Sequence, residues 1–125
     1  MNKGTYGYPL PPNTAARVAP PSWVNSQLYA TAGTFTDFVV PQNVFQILAI
    51  VGGAGGAGGL GAQSTGGGGG GFAMGIIDVI PGQLLPPITV GSGATARTTV
   101  GTGNTGGTSS LGSLLSSTGG SGGVG

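Results

Sequence analysis

All but Gly4, Gly7 and Gly33 of the chain's 30 glycines fall after residue 50. That crowding limits what the second half can form. Each glycine in a helix interior costs about 1 kcal/mol relative to alanine, so the consecutive glycines Gly66–Gly71 exclude a helix over 60–71. Glycine has no Cβ, however, and its backbone packs as closely as the backbones of collagen do. Buried N–H and C=O groups must then find partners. Extended left-handed glycine helices of the polyglycine II type can meet that need by bonding sideways to one another. Ordering each residue costs about 1–2 kcal/mol of backbone entropy, and glycine buries no side chain in return. A lone chain of this kind is expected to be marginal. Association of several copies, with apolar strands forming a shared core, is the expected remedy.

Those apolar segments come in short blocks. Thr34-Phe35-Thr36-Asp37-Phe38-Val39-Val40 is rich in β-branched and aromatic residues and reads as a strand. Pro41-Gln42-Asn43 turns the chain. Val44-Phe45-Gln46-Ile47-Leu48-Ala49-Ile50-Val51 is almost continuously apolar, which predicts a strand buried on both faces. After the first glycine tract comes a strand over 72–80, then the turn signal Pro81-Gly82. Pro86-Pro87 confines the strand over 84–90 to an edge or an irregular path. A last strand is expected over 109–116. The fold class is therefore all-β, with short strands joined by glycine-rich tracts in a domain or shaft spanning 33–125. The sequence reaches Gly125 inside a further glycine-rich stretch, and continuation past it is expected.

Residues 1–32 differ. Pro9, Pro11, Pro12, Pro20 and Pro21 fix φ and remove backbone donors, which predicts an extended arm. Tyr6, Tyr8, Trp23 and Tyr29 are spaced along it. An arm without a core must dock its aromatics on something, and Trp and Tyr are favoured interface anchors. These four are the candidate docking residues. Stacking on sugars is the weaker reading, because no formed cleft surrounds them.

Charge narrows the function classes. The charged residues are Lys3, Arg17, Asp37, Asp78 and Arg97, and the net charge is +1. Three scattered cations do not neutralise a phosphate backbone, which argues against nucleic acid. No apolar run approaches the length needed to span a bilayer as a helix, and the N-terminus lacks a signal peptide's apolar core. Disorder usually combines low hydrophobicity with high net charge. Here 38% of residues are apolar and charge is nearly absent.

One motif suggests chemistry. Gly53-Ala54-Gly55-Gly56-Ala57-Gly58 fits G-x-G-x-x-G, and Asp78 lies where a ribose-binding carboxylate is expected. The motif requires a following helix, and Gly66 through Gly71 rule one out. No Gly-Lys-Ser/Thr occurs, so no P-loop exists. Asp37 and Asp78 could be imagined as an acid/base pair. Nothing in the sequence brings them together, and the chain has neither His nor Cys beside them. A non-enzymatic protein without cofactor or metal is expected.

The ordered blocks resemble the glycine-rich domains of bacteriophage tail-fibre and receptor-binding proteins. Gly33-Thr34-Phe35-Thr36-Asp37-Phe38-Val39-Val40-Pro41 resembles their opening strand, and 44–51 running into Gly52-Gly53-Ala54-Gly55-Gly56 repeats their next step. Val79-Ile80-Pro81-Gly82-Gln83, followed by Ile88-Thr89-Val90-Gly91, is similar to their PGQ-to-VTVG block. Residues 106–120 resemble their closing segment. Pro86-Pro87 departs from the pattern by interrupting a strand. The resemblance covers 33–125 and implies a virion structural protein of the tail, a homotrimer, with the arm joined to tail or baseplate proteins. A receptor-binding adhesin contacting the host surface through its glycine-rich loops is the first alternative. A secreted glycine-rich protein of cell-wall or ice-binding type is the second.

Overall fold

A computed structural model of the chain describes residues 26–125; Tyr6, Tyr8, Trp23 and the arm up to residue 25 lie outside the described residues. The fold is all-β. Strands β1 (Gly33–Phe35), β4 (Ile88–Val90), β5 (Ser109–Leu111) and β6 (Leu115–Ser117) form an antiparallel sheet in the order β1-β4-β5-β6. Strands β2 (Gln46–Gly52) and β3 (Phe72–Asp78) form a separate antiparallel pair. Between and beyond the strands run five glycine-rich tracts, at residues 52–60, 65–71, 91–97, 101–107 and 118–125.

The two proline positions explain how β1 meets β4. Gly33 pairs Val90 and Phe35 pairs Ile88. The same register continues to a bridge between Val39 and Leu84. Between these stretches Thr36 and Asp37 stand opposite Pro87 and Pro86. Proline offers no N–H, so the ladder lapses there and resumes when Val40 donates to the Gln83 carbonyl (2.8 Å) and Leu85 to that of Phe38 (3.0 Å). The expected strand over 34–40 is thus a short β1 plus an irregular continuation. Of the edge or irregular path expected for 84–90, the irregular path is present and the edge position is not. The prolines of this segment precede β4, which sits between β1 and β5 inside the sheet. The expected strand over 109–116 is two strands, β5 and β6, joined by a tight turn. Gly112 takes φ +50° there, and a Cβ on it would collide with the Pro86 ring.

Both anticipated turns are present. Gln83 N–H donates to the Ile80 carbonyl (2.9 Å) across Pro81-Gly82, with Gly82 at φ +82°. Proline at the second position and glycine with positive φ at the third define a type II turn. In the turn that follows Pro41, Asn43 adopts φ +64°. Asparagine tolerates that region better than most residues.

The core is small. Val40, Val79, Leu85 and Leu111 are buried, with Phe38, Val44, Ile47, Ala49, Ile77, Ile88 and Leu115 packed against them. Strand β2 alternates half-buried and exposed residues along its length. The expectation that it is covered on both faces therefore fails. Ile47, Ala49 and Val51 face the other sheet, while Leu48 and Ile50 point out.

Candidate functional site

The glycine tracts decide the shape of the molecule. Their mutual hydrogen bonds recur every third residue. Gly53, Gly56 and Gly59 donate to Gly71, Gly68 and Thr65 of the second tract (2.8–3.0 Å). Ala54, Ala57 and Leu60 donate to Gly107, Asn104 and Gly101 of the fourth (2.9–3.0 Å). Thr65, Gly68 and Gly71 donate in turn to Val124, Ser121 and Thr118 of the fifth (2.8–2.9 Å). A β-ladder would repeat every second residue; a period of three belongs to the polyproline II conformation. Apart from Gly101, no tract residue has positive φ. The tracts are polyglycine II helices bonded sideways, as the composition suggested. The bonds close within one chain, however, so order in the tracts does not wait on neighbouring subunits.

Strand and tract share one register. The pairs of β2 with β3, from Gln46–Asp78 to Gly52–Phe72, lead directly into Gly53–Gly71, Gly56–Gly68 and Gly59–Thr65. The β5–β6 pairing likewise extends into Gly106–Gly120 and Gly103–Gly123. Two buried serines sit at the change of period. Ser117 Oγ accepts from Gly53 N–H (3.1 Å) and Ser109 Oγ from Gly91 N–H (2.9 Å). Each receives an amide at the point where the strand ends.

The molecule therefore has a strand-built base and a glycine-built stalk. At ~3.1 Å per residue, the first tract rises about 25 Å. The stalk ends in two loops, 61–64 and 98–100. Leu60 and Gly101 exchange both backbone bonds (3.0 and 2.8 Å) and hold the loops side by side. Thr65 N–H donates to the Val124 carbonyl (2.9 Å), and Thr65 Oγ1 accepts from Val124 N–H (2.8 Å), which brings the fifth tract to the same tip. The tip exposes Gln63, Ser64, Thr98, Thr99 and Val100. Arg97 reaches toward it, its Nη2 lying 3.4 Å from Thr99 Oγ1. Hydroxyls, an amide, one cation and an aliphatic side chain are thus gathered at the tip.

The sequence candidates fall elsewhere. Tyr29 is half-buried, its ring 4.9 Å from that of Phe35 and tilted 45°. With Gln27 and Phe38 it lines a cleft of about 220 Å³ between β2 and the β4–β5 pair. Asp78 accepts from Gln46 Nε2 (2.9 Å) at the base end of β2 and β3. The glycines of the G-x-G-x-x-G match lie within the first tract, and no helix follows them. Among the described residues no helix is long and apolar enough to cross a membrane, and no cluster of three or more His, Cys, Asp or Glu forms.

The tip loops are visible in the sequence as interruptions, Ala62-Gln63-Ser64-Thr65 within the glycines of 52–71 and Thr98-Thr99-Val100 between two glycine-rich stretches, but nothing there brings the two together. A signal was present in the period. Gly52-Gly53-Ala54-Gly55-Gly56-Ala57-Gly58-Gly59-Leu60 places a side chain at every third position, and Thr118-Gly119-Gly120-Ser121-Gly122-Gly123-Val124 does the same. Where that period breaks, at 61–64, the first loop begins; residues 91–97 and 101–107 do not carry the period, so it does not mark the loop at 98–100. Comparison with protein-family models, curated proteins and solved structures finds no match for the chain.

Proposed function

We propose that the chain is a bacteriophage tail-fibre or tail-tip component that acts by attachment rather than by catalysis. In this reading it is a virion protein, assembled as a homotrimer. The arm over residues 1–32 docks it to a tail or baseplate protein through Tyr6, Tyr8, Trp23 and Tyr29. The supporting observation is the polarity of the molecule. The described chain enters at the strand-built base, and the loops lie at the far end of a stalk whose order comes from backbone bonding. Such a stalk is a spacer between an anchored end and a contacting end. The ordered blocks from Gly33 to Gly120, which resemble tail-fibre domains, point the same way.

Deletion of residues 1–25 tests the docking. It leaves the Tyr29–Phe35 contact and every described strand in place. Assembly into tails should be abolished while the deleted protein stays folded. Normal incorporation would sink the docking claim.

The side-by-side loops favour a second reading, in which the tip itself contacts the host surface. Replacing Gln63, Thr98 and Thr99 together with alanine alters only exposed side chains. Adsorption of otherwise intact particles to host cells should then drop severely. Unchanged adsorption would leave the chain a spacer only.

A further inference from the structure

Among the described residues, the β2–β3 pair is covered on one side only. On its outer face Leu48 stands opposite Ile76, and Ile50 opposite Met74, with Phe72 at the stalk end. Their fractional exposures are 40% for Leu48, 59% for Ile50, 69% for Phe72, 58% for Met74 and 62% for Ile76. At roughly 200 Å² for each fully exposed large side chain, the patch exposes about 600 Å² of apolar surface. Monomeric proteins rarely expose a contiguous patch above a few hundred Å².

The edges of the same two strands are also open. Val79 donates to Phe45, and Gly53 to Gly71, so those residues form the hydrogen-bonded pairs that flank the ladder. By alternation, the amides and carbonyls of Leu48, Ile50, Met74 and Ile76 point away from the partner strand. Among the described residues none of these four amides donates elsewhere along the backbone. An exposed, flat, apolar strand pair with open edges is a template for association.

We infer that copies of this chain associate through the outer face of β2–β3. The inference rests on the proposed reading of the chain as a self-associating attachment part, and it names the surface. Two such patches facing each other bury about 1,200 Å², the lower bound of a stable interface. Charge does not oppose the match. Asp78 is the only charged residue on either strand, and it lies at the end away from the stalk, bonded to Gln46. With no acidic or basic pattern to recognise a different surface, the face is complementary to itself.

The native chain has no cysteine, which makes the surface directly testable. Met74→Cys in the full-length protein should give a covalent dimer on mild oxidation. Thr102→Cys, exposed on the stalk, should give none. Light scattering of the unmodified protein should show a multiple of 11.8 kDa. Ile50→Lys with Met74→Lys should return it to a single-chain mass with an unchanged circular dichroism spectrum. A monomeric unmodified protein, equal cross-linking at both cysteine positions, or a charged variant that stays assembled would each overturn the inference. A dimeric mass would support this surface and overturn the trimer. Tail docking is read separately, by deletion of residues 1–25, so the two claims fail by different measurements.

Discussion

Gly70→Ala and Gly122→Ala should each collapse the stalk, whereas Gly69→Ala, next to the first of them, should leave it intact. A Cβ added at Gly70 would fall on the carbonyl of Gly53, and one at Gly122 on that of Gly103. Both obstacles are backbone atoms in neighbouring tracts. Gly53 is held by Gly71 and Gly103 by Gly123 through bonds of 2.9 and 2.7 Å, so neither can retreat without breaking the array. Overpacking against side chains typically costs about 1–3 kcal/mol because side chains move aside. Here nothing flexible can yield, and a loss of about 3 kcal/mol or more is expected. For a domain of this size that lowers the melting temperature by on the order of 15 °C. A Cβ at Gly69 meets no atom within 4 Å. That substitution removes freedom from the unfolded chain and should be neutral or stabilising by about 0.4–1 kcal/mol. Thermal unfolding followed by circular dichroism separates the three. Equal melting temperatures for Gly69→Ala and Gly70→Ala would mean that the tracts are not packed backbone to backbone.

The same contrast shows what was legible from sequence. The all-β class followed from local chemistry that no tertiary contact could override. Six consecutive glycines forbid a helix, and Pro81-Gly82 can hardly be other than a turn. Sideways bonding of glycine helices was also legible, since freed backbone groups have few other partners. Which tract lies beside which was not, because Gly69 and Gly70 are identical in sequence and opposite in environment. Burial of β2 misled for a related reason. Alternation is invisible when both alternating sets are apolar, as with Ile47, Leu48, Ala49 and Ile50. Pro86-Pro87 was half legible, since the irregular path it predicted is present and the edge position is not. It interrupts hydrogen bonding as expected, but the register survives the gap, so β4 returns to an interior position. The tip was hidden because Ala62-Gln63-Ser64 and Thr98-Thr99-Val100 interrupt the glycines without showing that the two breaks lie side by side.

Removing residues 118–125 should cost more than any single substitution outside the stalk contacts. The fifth tract lies among three others, and its Gly120 and Gly123 are buried. It accepts from Thr65, Gly68 and Gly71 of the second tract and from Gly103 and Gly106 of the fourth. Gly120 and Gly123 donate to Ala54 and Ala57 of the first (2.7 and 2.9 Å). Each bond contributes only about 0.5–1.5 kcal/mol net, but their loss strands partners in the interior of the array, at about 1–3 kcal/mol apiece. The base should survive, because β5 and β6 keep their pairing through Ser117 and the core around Val40, Leu85 and Leu111 is untouched. The expected result is a protein with retained strand signal whose stalk amides exchange freely. Hydrogen exchange resolved at Gly56, Ala57, Gly59 and Leu60, whose acceptors Gly68, Asn104, Thr65 and Gly101 lie in the retained second and fourth tracts, is the measurement. Continued protection at these positions would show that the remaining four tracts support one another without the fifth. The stalk would then be stabilised pair by pair, along each hairpin, and not as a laterally cooperative array.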